Sequence, residues 1–356
     1  MLPHVRCTNR QRGRALEIPV LDLQKAQTSW ADVLDSWESA VLTTGCFQLV
    51  NHGIPPEVLE TCLAAARDFH GRDSAFKQRY AMSRSLNNRG YVPADFRPTG
   101  TESRRVVRDY ASLDLGTALA DAGGSIESIL LGPNVWPDIS GFRQAVESYY
   151  QAVHACALAT SRMLSRVCGL DADHLAKRSE QGISLLRLLH YPSPAWDPAD
   201  PPNGHTDYEW FTLIWQSSAG LEVLGRDGRV HLVPEEPGAL VVILGDLLEV
   251  LTGGWLESTL HWVRPRQPDR HSLTYFFGPD FHEVVAPVAP RLGPQPERYP
   301  LLPAGEHLTA LRVRHFAHLR AAVRDGSLDL PFELPAANPL KAVKQDRLEA
   351  VERGRA

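Results

Sequence analysis

The chain lacks the features that mark several special classes of protein. No run of about 18 uncharged apolar residues occurs, so the sequence predicts no membrane span. Its five cysteines are scattered without a Cys-x-x-Cys pair, which favours free thiols in a reducing cytoplasm over a disulfide framework. Basic residues (37) are fewer than acidic ones (42), and this balance disfavours a nucleic-acid partner. The composition is otherwise that of an ordinary globular protein, with 43% hydrophobic residues in a chain of 356.

The first part of the chain has mainly helical periodicity. Residues 1–16 are basic but carry no apolar segment, so we interpret them as a loose leader rather than a secretory signal. Residues 17–135 form the predicted N-terminal helical region. It contains a strand at 18–23, a helix at 28–43, a strand at 46–50 and a helix from Pro56 to about residue 80. Residues 84–135 have the least regular pattern.

The second part changes to short strands punctuated by glycine and proline. We predict a long helix at about 139–169, and then strands at 183–191, 210–216, 220–224, 229–233, 240–244, 258–263 and 272–277. A helix is predicted at 306–324. We take residues 136–325 as one unit and residues 326–356 as a polar tail. Many short strands in this order are typical of a sandwich or barrel.

One histidine in the chain is followed two positions later by an aspartate, as His205-Thr206-Asp207. In a strand, positions i and i+2 point to the same face, so both side chains can reach one metal ion. A second histidine would complete a set of two histidines and one carboxylate, which suits non-haem Fe(II) and leaves coordination positions open. His261, 54 residues beyond Asp207, is the best candidate. Ten other histidines, His70 among them, show no ligand spacing.

Arg270-His271-Ser272 follows nine residues after His261. Arg270 and Ser272 share a strand face, and a guanidinium beside a hydroxyl is a good receptor for a carboxylate. Because an unpaired arginine inside a barrel is costly, the pattern predicts an acidic ligand or a buried carboxylate partner.

Several segments together resemble the isopenicillin N synthase-like group of Fe(II)/2-oxoglutarate oxygenases. The similarity runs from about residue 17 to 325 and is carried by these motifs in order: GCFQLVNHGIP (45–55), RGY (89–91), GPNVWP (132–137), GHTDY (204–208), LIWQ (213–216), PGALVV (237–242), STLH (258–261) and RHS (270–272).

The resemblance implies a mainly β fold with flanking helices, built on a double-stranded β-helix, or jelly roll. It implies iron held by His205, Asp207 and His261, with O2 and 2-oxoglutarate as co-substrates. The distal carboxylate of 2-oxoglutarate would meet Arg270 and Ser272, and Tyr191 matches a family tyrosine near it. The expected reaction is hydroxylation, desaturation or ring closure of a small molecule, such as a secondary metabolite or an amino-acid derivative, with release of succinate and CO2.

The chain departs from the family pattern at Leu189, where many members carry an asparagine that bonds the co-substrate. This departure keeps open an iron oxidase that does not use 2-oxoglutarate, as in isopenicillin N synthase itself. A non-catalytic jelly-roll binding protein is the alternative from another class.

Candidate substrate contacts are Tyr208, Trp210, Phe276 and Arg89, while the cluster Arg104, Arg105 and Arg108 is read as a solvated face. We expect a cytoplasmic protein, a monomer or a dimer, whose partner is a small-molecule substrate.

Overall fold

The computed structural model describes residues 17–94, 110–118, 127–193, 204–341 and 343–344. The predicted leader, the Arg104, Arg105 and Arg108 cluster and the last twelve residues of the predicted tail lie outside the described residues. The boundaries assigned to the regions of the chain therefore stay a prediction. Among the described residues, no helix has both the length and the apolar character that crossing a lipid bilayer requires.

Thirteen strands and ten α-helices occur in the described residues. The strands are β1 (Val20–Asp22), β2 (Cys46–Val50), β3 (Gly90–Val92), β4 (Ala111–Gly116), β5 (Leu185–Tyr191), β6 (Phe211–Gln216), β7 (Leu221–Leu224), β8 (Val230–Leu232), β9 (Leu240–Leu244), β10 (His261–Val263), β11 (Arg270–Phe277), β12 (Val284–Val285) and β13 (Leu302–Pro303). The helices are α1 (Leu23–Thr28), α2 (Trp30–Thr43), α3 (Pro56–Gly71), α4 (Ser74–Gln78), α5 (Ser128–Leu131), α6 (Phe142–Val167), α7 (His174–Lys177), α8 (Asp246–Leu251), α9 (Ala304–His315) and α10 (Ala317–Asp325).

Two sheets form the predicted jelly roll. The major sheet has eight strands in the order β1-β2-β9-β6-β11-β5-β4-β3, and the minor sheet has the order β10-β7-β8. Alternating residues of β11 show how the major sheet separates two environments. Leu273, Tyr275 and Phe277 belong to the main hydrophobic core with α3 and α6, whereas Arg270 and Ser272 lie on the opposite face.

A smaller apolar cluster joins the two sheets. It contains Ile214, Val241 and Ile243 of the major sheet with Leu221 and Val223 of the minor sheet. We call the face of the major sheet that meets this cluster the inner face. The fold class predicted from the sequence is thus confirmed.

Two predicted helices are shorter than their periodicity indicated. The helix predicted to run from Pro56 to residue 80 stops at Gly71, since Arg72 is extended and Asp73 starts α4 by accepting a hydrogen bond from the Phe76 N–H at 2.7 Å. The helix predicted at 306–324 is interrupted at Phe316, whose extended backbone accompanies burial of its ring in a cluster with α10. Residues 84–135, which showed no regular pattern, contribute β3 and β4 to the major sheet.

Candidate active site

The three predicted metal ligands lie together where β10 begins. Residues 205 and 261 form an antiparallel bridge in which each backbone N–H donates to the other residue's carbonyl at 3.0 Å. Asp207 lies two residues further along the chain, just before β6. One ligand atom from each of the three side chains lies within 4.8 Å of the other two. Residues 56 positions apart are therefore brought together by strand pairing.

The three side chains present their donor atoms to a common centre. Oδ1 of Asp207 is 3.7 Å from Nε2 of His205 and 3.8 Å from Nε2 of His261. His261 and Asp207 are buried, while the His205 side chain is 56% exposed, so the centre opens to one side. This two-histidine, one-carboxylate donor set fits a non-haem Fe(II) ion.

Neighbouring groups fix two of these ligands. Oδ2 of Asp207 accepts a hydrogen bond from the Thr212 hydroxyl at 2.5 Å, which leaves Oδ1 for the centre. Nδ1 of His261 lies 3.0 Å from the Thr259 carbonyl. Because a carbonyl only accepts, Nδ1 carries the hydrogen and Nε2 keeps its lone pair for a metal.

Arg270 is buried on the inner face and is only partly satisfied. Its Nε donates to the Ser218 carbonyl at 3.0 Å and its Nη2 donates to the Gln216 side chain at 2.9 Å. Its Nη1 is buried and has no hydrogen-bond partner among the described residues. Burial lowers the pKa of this guanidinium, but an arginine remains charged at neutral pH. A buried donor of this kind requires an acceptor, and a carboxylate of a bound ligand would supply it.

Tyr191 and Ser272 lie next to Arg270 on the paired strands. Residue 270 is opposite residue 191, and the Arg270 guanidinium lies 4.8 Å from the centre of the Tyr191 ring. Burial raises the pKa of Tyr191 to about 12, so its hydroxyl keeps its proton. The Ser272 hydroxyl donates to the Trp215 carbonyl at 2.8 Å. Leu189 is opposite Ser272 and offers no side-chain hydrogen bond to a ligand.

Phe276 lies on the inner face near the ligand centre. In the register of β11 and β6 it is opposite Thr212, which bonds Asp207. The Arg187 guanidinium lies 5.2 Å from the centre of its ring. Arg187 in turn makes two hydrogen bonds to the fully buried Asp114, at 2.9 and 2.7 Å. Burial alone would lower the pKa of Arg187, but the charge and hydrogen bonds of Asp114 raise it.

The other three candidate substrate contacts are placed differently. Trp210 is fully buried in the main core, where its indole N–H donates to the Ser179 hydroxyl at 3.2 Å. Arg89 is buried and donates to the backbone carbonyls of Asn88, Thr117 and Leu130. These contacts favour packing and loop-fixing roles. Tyr208 is half-buried beside Asp207, with the Arg312 guanidinium 5.7 Å from its ring centre.

Sequence reasoning missed several residues that organise the site. Thr212, Gln216 and the Arg187–Asp114 pair are supplied by neighbouring strands. Arg187 alternates with Leu189 and Tyr191 on one strand, so the spacing that grouped Arg270 with Ser272 could have placed it on the same face. Lys344 comes from the predicted tail but is buried. Its ammonium donates to the Thr206 hydroxyl at 3.0 Å, to the Ser258 hydroxyl at 2.9 Å and to the Asp246 carboxylate.

Two family models match the chain. The model described as the N-terminal region of non-haem dioxygenases in morphine synthesis matches residues 18–139. The model of the 2OG-Fe(II) oxygenase superfamily matches residues 182–279, a range that includes His205, Asp207, His261 and Arg270.

Curated proteins and solved structures are similar over most of the chain. A 2-oxoglutarate-dependent dioxygenase of Didymella fabae is 30% identical over 263 residues, which cover 70% of this chain and 80% of the relative. A 2OG-Fe(II) oxygenase family protein from Caulobacter crescentus superposes with a TM-score of 0.72 at 25% identity, covering 84% of this chain and 99% of that one. A full-length Neurospora crassa protein, solved in complex with alpha-KG, gives a TM-score of 0.69 at 25% identity, covering 82% of this chain and 94% of that one.

Proposed function

The chain belongs to the 2OG-Fe(II) oxygenase superfamily, and we propose that His205, Asp207 and His261 hold its iron while Arg270 anchors 2-oxoglutarate. As a 2-oxoglutarate-dependent dioxygenase it uses Fe(II), 2-oxoglutarate and O2 and acts on a small molecule. The two alternatives left open by the sequence, an oxidase independent of 2-oxoglutarate and a non-catalytic binding protein, are not supported by these relatives.

One observation carries the assignment of residues. A two-histidine, one-carboxylate donor set and a buried guanidinium, whose Nη1 has no partner among the described residues, belong to the same jelly-roll core. When bound, Fe(II) together with O2 and 2-oxoglutarate supplies the oxidant for a substrate C–H bond, and 2-oxoglutarate leaves as succinate and CO2.

The protein's own side chains orient the proposed iron ligands and balance the charge of the co-substrate. Thr212 directs the Asp207 carboxylate, and the Thr259 carbonyl sets the tautomer of His261. Three protein ligands leave the remaining coordination positions for a chelating keto acid and O2. Arg270 would balance the charge of the distal carboxylate of 2-oxoglutarate. The guanidinium is itself held by Gln216 and Ser218 rather than by a protein carboxylate.

For the substrate, the inner face offers Phe276 together with the Arg187–Asp114 pair. Phe276 is opposite Thr212 in the register of β11 and β6, and Arg187 interacts electrostatically with Asp207. We propose that the substrate lies against Phe276, close to the ligand centre. Apolar inner-face residues such as Ile214 would exclude water from this side of the site.

Succinate release from 2-oxoglutarate tests the residue assignment. Purified protein with Fe(II), O2 and a panel of small metabolites should release succinate above the background of substrate-free enzyme for at least one compound. His205→Ala should abolish this release, because one of three ligands is lost. His282→Ala is the matched control, since His282 is an exposed surface residue paired with Glu127.

A spectrum tests the same assignment without knowledge of the substrate. Addition of Fe(II) and 2-oxoglutarate without O2 should give a weak visible charge-transfer band in the wild type and in His282→Ala. Persistence of an unchanged band in folded His205→Ala protein would show that the iron lies elsewhere.

A further inference from the structure

A second group of metal-ligating side chains lies on the opposite face of the major sheet. His190 and His271 are directly opposite each other in the β5–β11 register, and Asp269 immediately precedes β11. Oδ1 of Asp269 is 2.8 Å from Nε2 of His190 and 3.3 Å from Nε2 of His271. The two imidazole rings are stacked, with their centres 4.6 Å apart.

Strand alternation separates this group from the proposed iron centre. Tyr191 follows His190, and Arg270 and Ser272 flank His271, so His190 and His271 point away from the inner face. Asp269 meets both of them. The two groups therefore do not share one ion. The second group faces α3, whose His70 ring centre is 5.3 Å from that of His190.

The hydrogen bonds among these side chains leave buried nitrogens without partners. His70 uses one ring nitrogen on the Leu188 carbonyl at 3.1 Å. Nδ1 of His70 and Nδ1 of His271 are both buried and have no hydrogen-bond partner in the described part of the chain. Both residues are almost fully buried, at 4% and 2% exposure. The nitrogens that meet Asp269 are instead the Nε2 atoms of His190 and His271.

From these observations, we propose that His190, Asp269 and His271 form a second metal site, for a borderline divalent transition ion such as Zn2+. Two imidazoles and one carboxylate are a donor set that zinc accepts, with water in the fourth position. Asp269 is 72% exposed, which gives the ion an entry path and room for that water.

The two donor-atom separations that involve Asp269 are close to those that zinc requires. Zn–N and Zn–O bonds of about 2.0–2.2 Å in a tetrahedron place neighbouring ligand atoms about 3.4 Å apart. The separation from Asp269 to His271 is already 3.3 Å, and that from Asp269 to His190 is 2.8 Å. Binding therefore requires the separation between Asp269 and His190 to open by about 0.6 Å, at an aspartate that is exposed.

Zinc stoichiometry of the full-length protein tests this proposal. Metal-free protein is dialysed against Zn2+ and analysed for bound metal. We expect two equivalents in the wild type, one at each group, and one equivalent in Asp269→Asn and in His190→Gln. His282→Ala, which changes an exposed histidine outside both groups, should keep two. The loss of affinity should exceed the roughly 10- to 100-fold that removal of an outer-shell partner costs.

Two further measurements make the result independent of any one variant. In the wild type, Co2+ should give absorption from two distinguishable sites, of which Asp269→Asn loses one. Zn2+ should raise the melting temperature of His205→Ala but raise that of His205→Ala/Asp269→Asn less.

Two equivalents of zinc in folded Asp269→Asn and His190→Gln would overturn the proposal. A single equivalent in the wild type that Asp269→Asn retains would do so as well. Neither result would affect the iron assignment, which rests on other residues.

Discussion

Substitution of Arg270 gives the sharpest test of how the co-substrate is held. The guanidinium is 1% exposed, and two of its nitrogens are used by Ser218 and Gln216. Nη1, which has no partner among the described residues, is left to meet a carboxylate. In Arg270→Ala the distal carboxylate of 2-oxoglutarate would be buried without its counter-charge. Removing one partner of a buried pair costs about 3–5 kcal/mol, which corresponds to a loss of affinity between about 100-fold and several thousand-fold.

The assay is an anaerobic titration of the Fe(II) protein with 2-oxoglutarate, followed by the visible charge-transfer band. Affinity for Fe(II) itself should change little, because the proposed iron ligands make no hydrogen bond to Arg270 among the described residues. Arg270→Lys keeps the charge but cannot reproduce the planar set of donors, so we expect an intermediate affinity. Arg143→Ala is the control, since Arg143 is an exposed residue paired with Glu147 on α6. If folded Arg270→Ala binds 2-oxoglutarate within threefold of the wild type, the anchor has been assigned to the wrong residue.

Three other substitutions probe the site and the stability of the fold. Thr212→Val removes the hydrogen bond that orients Asp207, and we expect Fe(II) affinity, measured by equilibrium dialysis, to fall roughly 10- to 100-fold; an unchanged affinity would contradict this. Asp114→Ala leaves Arg187 buried without its partner and should lower the free energy of urea unfolding by about 3–5 kcal/mol, whereas replacing both residues with apolar ones should cost less. Burial lowers the pKa of His307 to about 4, so its contribution to stability is present above pH 6.5 and is lost as the pH falls toward 4. His307→Gln should therefore reduce the loss of unfolding free energy between pH 7 and 4.5 by about 3 kcal/mol at most, and an equal loss in both proteins would refute this cause.

Local spacing in the sequence predicted two pairs of residues of the candidate site. His205 and Asp207 are two residues apart, and Arg270 and Ser272 are two residues apart, so each pair shares a face once the chain is extended. Glycine and proline punctuation likewise indicated most of the strands of the jelly roll. Helix ends were less predictable, because the extended conformation of Phe316 depends on the cluster in which its ring is buried rather than on neighbouring residues.

The residues that support the candidate centre are brought together by strand pairing, which no local sequence pattern encodes. Asp114 meets Arg187 across 73 positions because β4 pairs with β5 in one register. Gln216 reaches Arg270 across 54 positions because β6 lies beside β11. Register depends on which faces can be buried together, and this is a property of the whole sheet.

The same reason explains why the second histidine cluster was not found from the sequence. His190 and His271 stand 81 positions apart along the chain, and each appears there only as the neighbour of a residue of the inner face. By itself, the sequence determined the fold class and predicted the candidate ligands and their alternation along the chain. The tertiary structure alone decided which distant side chains meet on each face of the sheet, because only the pairing of β5 with β11 brings them within bonding distance.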